Sequence, residues 1–167
     1  MFIKKIPCYK QGGIMDCAPA CLKILAEFYG KQYTLNYLRN KCGTNKEGTS
    51  FFNLGHAAEK IGFHTLSIKA TLNDLLYKIP LPVIVHLNNN HFVVMYNVEI
   101  KRLDVSPNKI PNGIIYVSDP AQGYKKYNIV EFSKKWLKID TTLSIREIKT
   151  ENVGFLMVIE PKFKLLK

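Results

Sequence analysis

Cys17 is the residue of this sequence best placed for covalent chemistry, with Gln11 six positions upstream and a Gly12-Gly13 pair between them. After it, apolar residues at Cys21, Ile24, Leu25 and Phe28 follow the i, i+3, i+4, i+7 spacing of a helix with one buried face. A thiol at the start of a helix lies among unpaired backbone N–H groups at the positive end of the helix dipole, which favours thiolate over thiol. Gln11, turned back by the two glycines, can bring a side-chain amide to the oxyanion formed when a thiolate attacks a carbonyl, beside the Cys17 N–H. A free cysteine is ordinarily a small buried hydrophobe. Cys21, on the apolar stripe, is read that way, and Cys8 and Cys42 are given no role.

A thiol nucleophile needs a base and a group that orients the base. His56 and His64 belong to a helix and the strand after it, and His86 lies inside a strand, where a packed histidine is unremarkable. His91 differs, because it opens the apolar run 91–98 directly after the turn-forming Asn88-Asn89-Asn90. Asp119 closes the run 114–118 and precedes Pro120. If these two strands form a hairpin with 99–113 as its loop, the start of one lies beside the end of the other. Asp119 can then accept from one ring nitrogen of His91 and hold the imidazole towards Cys17. Asp-Pro is also a common turn initiator, so Asp119 has a plain structural reading as well.

The elements that must position these groups follow from local signals. The first helix runs from Cys17 to Tyr29, with Asp16 as N-cap, Pro19 tolerated in the first turn and Gly30 as the stop. Further helices are expected over 34–42 and 50–61, ended by Gly43 and Gly62, then a strand over 63–70 and a short helix over 72–79. The β-branched and aromatic runs 82–87, 91–98, 114–118 and 155–159 read as strands, and 131–137 as one more short helix. Residues 99–113, rich in charge, Asn and Pro, read as an exposed hairpin loop. Helices first and strands afterwards predict an α+β fold, an N-terminal helical layer packed on an antiparallel sheet.

With 167 residues, 47% of them hydrophobic, the chain suits one domain with a real core. No apolar run approaches the roughly 20 residues of a membrane-spanning helix, and the N-terminus lacks the apolar stretch of a secretory signal. The four cysteines, without paired spacing, read as reduced thiols and match no zinc site. The charge of +11 raises nucleic acid as a partner, but the lysines are scattered in short pairs such as Lys125-Lys126 and no nucleic-acid motif accompanies them. Nucleic acid is not expected.

Taken together, these segments resemble the double-glycine leader peptidase domain of bacteriocin-exporting ABC transporters, a papain-like family. The resemblance rests on Gln11-x5-Cys17 within 11–22, on His91-Phe-Val-Val94 and on Asp119-Pro-Ala-x-Gly123, in that order, and covers nearly the whole chain. It implies a papain-like peptidase domain over 1–160, followed at 161–167 by the start of a linker towards a transmembrane domain. In its terms Cys17 is the nucleophile, His91 the base and later acid, Asp119 the orienter and Gln11 the oxyanion donor. The implied reaction cuts a bacteriocin or pheromone precursor just after the Gly-Gly pair that ends its leader, as the cargo is exported. Partners would be that precursor and the transmembrane and nucleotide-binding domains of a parent exporter, at the cytoplasmic face of the membrane. No cofactor is implied for this domain, and ATP and Mg only for the parent. Two departures stand out: Ala18 where the family usually has Gly, and a longer stretch between His91 and Asp119. A domain that only docks leaders, and a papain-like acyltransferase or amidase, are the alternatives.

Overall fold

The helical half forms as expected in the computed structural model, which describes residues 5–101, 110–139 and 151–162. Its helices are α1 (Cys17–Phe28), α2 (Leu35–Lys41) and α3 (Phe51–Lys60). The Thr34 and Ser50 hydroxyls cap α2 and α3, accepting from the N–H groups of Tyr37 and Asn53. Gly30, with φ of 86°, turns the chain out of α1 in the left-handed conformation that glycine takes without strain. Asp16 holds the N-cap position of α1, but the expected cap is not made: its side chain bonds no N–H of the first turn. It is drawn instead towards α2, where Arg39 Nε lies 3.2 Å from Oδ1.

Six strands follow among the described residues: β1 (Phe63–Thr71), β2 (Val83–Leu87), β3 (His91–Ile100), β4 (Gly113–Asp119), β5 (Gly123–Asn128) and β6 (Val153–Pro161). They form one antiparallel sheet in the order β1-β6-β2-β3-β4-β5. Between them lie α4 (Leu72–Tyr77) and α5 (Ile129–Trp136). Alternation along the strands divides the core between two faces. Ile84, Phe92, Val94, Met157 and Ile159 pack with α1, α2 and α3. Val83, Val85, Val93, Met95, Val117 and Leu156 face the other way, against Ile129, Phe132 and Trp136 of α5. Burial on both faces is why the central strands read as continuous apolar runs.

Some boundaries differ from expectation. The β3–β4 ladder continues to Ile100 opposite Gly113, so the connection is shorter than the loop expected over 99–113, and its residues 102–109 lie outside the described residues. The edge strand β5 was not foreseen, because Tyr124-Lys125-Lys126-Tyr127 is buried only in part and lacks an apolar face. The helix expected over 131–137 begins two residues earlier, where the Asn128 side chain accepts from the Glu131 N–H. The helix expected to reach Ile79 stops at Tyr77. β6 runs to Pro161, and of the segment expected as linker, 163–167 lies outside the described residues.

The segment before α1 is strapped to the sheet. The Ser118 hydroxyl donates to Pro7 O at 2.9 Å, the Tyr124 hydroxyl to Ile6 O at 2.7 Å, and Gln11 N–H to Pro120 O at 2.9 Å. On the helix side, the Tyr9 hydroxyl bonds Glu27 and the Lys23 ammonium sits over the Tyr9 ring. The approach to Cys17 is thereby fixed from both layers.

Candidate active site

Cys17 is the first residue of α1 and only 6% exposed. Its thiol lies 3.9 Å from the carbonyl oxygen of Asn90, the last residue of a single 3-10 turn over Asn88–Asn90 that joins β2 to β3. Asn90 has φ of 54°, a left-handed conformation that asparagine tolerates better than most residues. His91 follows and opens β3, so its ring emerges at the end of the sheet. The β3–β4 ladder brings Asp119 beside it, with His91 Nε2 2.7 Å from Asp119 Oδ1. The same oxygen accepts the Ala121 N–H at 2.7 Å, and Asp119 is 2% exposed. With Nε2 on the carboxylate, Nδ1 is the ring nitrogen left for the thiol.

The electrostatics of the pair follow from this packing. Burial disfavours protonation of His91, but hydrogen bonds with Asp119 and Cys17 and their charges outweigh it, holding the ring up at about 9. Burial likewise disfavours ionisation of Asp119, and the bonds from His91 and the Ala121 N–H outweigh it, keeping the carboxyl below its ordinary value. Cys21, fully buried one turn along α1, is pushed well up by desolvation and serves packing. Gln11 lines the same cleft, but its amide nitrogen donates to the loop's own carbonyls, Gly13 O at 2.9 Å and Ile14 O at 3.1 Å.

The cleft, of about 1160 Å³, is walled by Ile14 and Met15 before α1, by Thr49 and Phe51 at the start of α3, and by Phe92 and Tyr127 of the sheet. Of the other histidines, His56 and His64 are exposed and away from it. His86 is in its wall, packed against Phe92 with ring centroids 4.6 Å apart and the planes tilted by 34°, and edge-on to Phe51. Burial, then Lys138 and His91, push its pKa down to about 4, so it stays neutral. Sequence reasoning missed the Asn90 carbonyl, the Asp16–Arg39 pair and the 45–53 wall. Only the Asn run before His91 gave a local signal, and it marked the turn rather than its contact. Among the described residues no group of three or more His, Cys, Asp or Glu is placed to hold a metal.

Residues 5–150 match the peptidase C39 family. The lactococcin-G-processing and transport ATP-binding protein of Lactococcus lactis subsp. lactis is 35% identical over 126 residues, 72% of this chain and 16% of that protein. The transport/processing ATP-binding protein ComA of Streptococcus pneumoniae is 31% identical over 127 residues, 73% of this chain and 16% of that protein. The chain therefore spans a small part of the length of these relatives. Among solved structures, a double glycine motif protease from an AMS/PCAT transporter, in complex with the leader peptide, is similar with a TM-score of 0.74 at 25% identity, covering 95% of this chain and 93% of that one. The peptidase domain of Streptococcus ComA is similar with a TM-score of 0.69 at 27% identity, covering 94% and 99%. A family match across most of the sequence joins a helical layer and antiparallel sheet shared with these peptidase domains, so this chain belongs to the peptidase C39 family of cysteine peptidases and has their papain-like fold.

Proposed function

We propose that this chain is an endopeptidase domain that removes the leader from bacteriocin or pheromone precursors by cutting just after a Gly-Gly pair, with Cys17 as nucleophile. The observation that carries the reading is the Cys17 thiol at the start of α1, set against the His91–Asp119 pair. The thiolate attacks the carbonyl carbon of the second glycine, and the His91 imidazolium gives its proton to the departing amine. This leaves the leader as a thioester on Cys17. His91, now neutral, takes a proton from water, the resulting hydroxide attacks the thioester, and the leader leaves with a free carboxylate. Asp119 keeps the ring in the tautomer and orientation that present Nδ1 to sulfur. The Cys17 N–H, in a first turn that offers it no helical partner, and the Gln11 amide would receive the oxyanion. For Gln11 that means exchanging one of its two bonds to loop carbonyls for one to substrate, an exchange close to neutral in hydrogen-bond energy.

Two further facts support the glycine specificity and the setting. A thiol only 6% exposed, between the 11–15 loop and the Asn90–His91 turn, favours a backbone without side chains on either side of the carbonyl. The structural relative bound to a leader peptide is a double glycine motif protease, and the sequence relatives are processing and transport ATP-binding proteins. We therefore place this domain at the cytoplasmic face of a membrane exporter, beside transmembrane and nucleotide-binding domains that use ATP and Mg. Among the described residues no helix is long and apolar enough to cross a membrane.

The test is incubation with a synthetic leader ending in Gly-Gly and followed by a short cargo, read by mass spectrometry. Wild-type protein is expected to release the leader with its carboxylate on the second glycine. Cys17→Ala is expected to abolish cleavage and leave leader binding within about twofold, since the thiol makes bonds rather than contacts. Binding without cleavage by the wild type would sink the enzyme reading in favour of docking. Failure to cut such leaders, with thiol labelling still confined to Cys17, would favour an acyltransferase or amidase.

A further inference from the structure

We infer that Asp16 is a positioning residue for acyl transfer: its buried carboxylate is the post around which the Gln11–Gly13 turn is wrapped, fixing the Gln11 amide relative to the start of α1. The inference rests on the proposed roles of Cys17 and Gln11 and adds a residue that does not itself touch substrate.

The first observation is a buried charge without the usual reason for one. Asp16 is 3% exposed, and burying a carboxylate is costly unless partners compensate. An aspartate at an N-cap ordinarily finds them in the first turn of its helix, yet the Asp16 side chain makes no such bond. Its compensation is Arg39, 3.2 Å from Oδ1, and half of the Arg39 side chain remains in solvent. The approach is an ion pair, and among the described residues Oδ1 has no hydrogen-bond donor. This is a poor arrangement for stability alone, and it sits one residue before the nucleophile.

The second observation concerns the other oxygen. A Cβ added to Gly12 would lie 3.2 Å from Asp16 Oδ2, and one on Gly13 would lie 3.4 Å from it. Neither glycine is among those with left-handed φ, in contrast to Gly30, Gly43 and Gly48. The pair is therefore not required by a backbone conformation closed to other residues, as the sequence suggested. At Gly12 an added side chain would meet the carboxylate closer than ordinary van der Waals contact, so the carboxylate or the turn would have to give by a few tenths of an ångström.

The third observation links this contact to Gln11. Gly13 O accepts both the Asp16 N–H, at 3.1 Å, and the Gln11 amide, at 2.9 Å. One carbonyl thus ties the backbone of Asp16 to the side chain of Gln11, inside a turn packed on the Asp16 carboxylate. From the far side Gln11 N–H is held by Pro120 O, next to Asp119. Shifting the carboxylate moves the turn, and the amide moves with it. The His91–Asp119 pair is anchored separately, through β3 and β4.

That separation gives the test. Alkylation of Cys17 by iodoacetamide needs the thiolate but develops no oxyanion, whereas cleavage of a Gly-Gly leader needs both. In Asp16→Asn, which keeps size and removes charge, kcat is expected to fall by about tenfold or more, with KM within about twofold and alkylation within about threefold of wild type. Gly12→Ala, which pushes the same contact from the other side, is expected to lower kcat in the same way. Added to Asp16→Asn it should cost little more, because both act on one contact. The inference is overturned if alkylation falls in step with kcat, if only thermal stability falls while kcat is retained, or if the two substitutions multiply independently. Should Asp16→Asn fail to fold, Gly12→Ala alone decides by the same comparison of kcat with alkylation. Gln11→Ala is run alongside: unchanged kcat there would remove the oxyanion reading itself, while a fall there with none in Asp16→Asn or Gly12→Ala would remove only the role given to Asp16.

Discussion

His91 and Asp119 hold each other charged across the neutral range, and this coupling sets how the site should answer to pH. The His91 pKa stands at about 9, above the ordinary histidine value, because its bonds with Asp119 and Cys17 outweigh burial. A raised histidine contributes stability that is fully present below about 6.5 and is lost as pH rises through about 9. Asp119 is depressed, so its contribution is present above the ordinary carboxylate value and lost as pH falls through its lowered one. If protonated His91 is the acid for the leaving amine, kcat/KM for a Gly-Gly leader should decline on the alkaline side near pH 9. Asp119→Asn removes the main group that holds the proton, so the alkaline limb should move to lower pH by about one unit or more, with kcat reduced. Profiles of kcat/KM against pH for the two proteins check this; an unmoved limb would assign it to another group. The juxtaposition of His91 and Asp119 was legible in the sequence because each stands at a strand end marked locally, by the asparagine run before His91 and by Pro120 after Asp119, while the helix that Cys17 opens was read from the apolar stripe that follows it. What Asp16, Asn90 and the Gln11 amide contact was not legible, since those contacts exist only once the 11–16 turn and the 88–90 turn have closed on each other.

At the scale of elements, the helical face was readable and the opposite face was not. The apolar stripe marks α1, Gly43 and Gly62 mark the ends of α2 and α3, and the burial of β2 and β3 on both faces is visible as largely apolar runs. The packing of α5 across the sheet depends instead on Gly154, which nothing near it in sequence explains. Trp136 is fully buried on β6, its indole N–H donating to Phe155 O at 2.9 Å, and a Cβ on Gly154 would lie 2.3 Å from the indole ring. Neither the ring nor the strand backbone can give by that much. Gly154→Ala is expected to destabilise the domain by about 3 kcal/mol, the upper end of overpacking costs. Urea unfolding followed by Trp136 fluorescence measures it. A cost under about 1 kcal/mol would mean that α5 shifts freely on the sheet. Because Cys17, His91 and Asp119 are held from α1, β3 and β4, the folded fraction of this variant should keep its kcat.

The whole molecule carries 24 Lys and Arg against 13 Asp and Glu, a net +11 that no single contact accounts for. The charge was visible in the sequence, but its distribution over the fold was not. Exposed lysines are individually worth little. Their summed field acts at longer range and raises the local concentration of anionic partners near the surface. Within the cleft, the Asp119 charge is matched by His91, and Glu47 and Lys135 line it with one charge of each sign, so these residues together do little to offset that field at the site. A leader with net negative charge should therefore be captured faster than a neutral one of the same apolar sequence. Salt should weaken the difference, since the screening length falls from about 10 Å at 0.1 M to about 3 Å at 1 M. The expected result is that kcat/KM for an acidic Gly-Gly leader drops several-fold across that range, through KM and not kcat, while the charge-neutralised peptide changes little. Equal salt responses for the two peptides would show that the positive charge serves something other than capture of substrate.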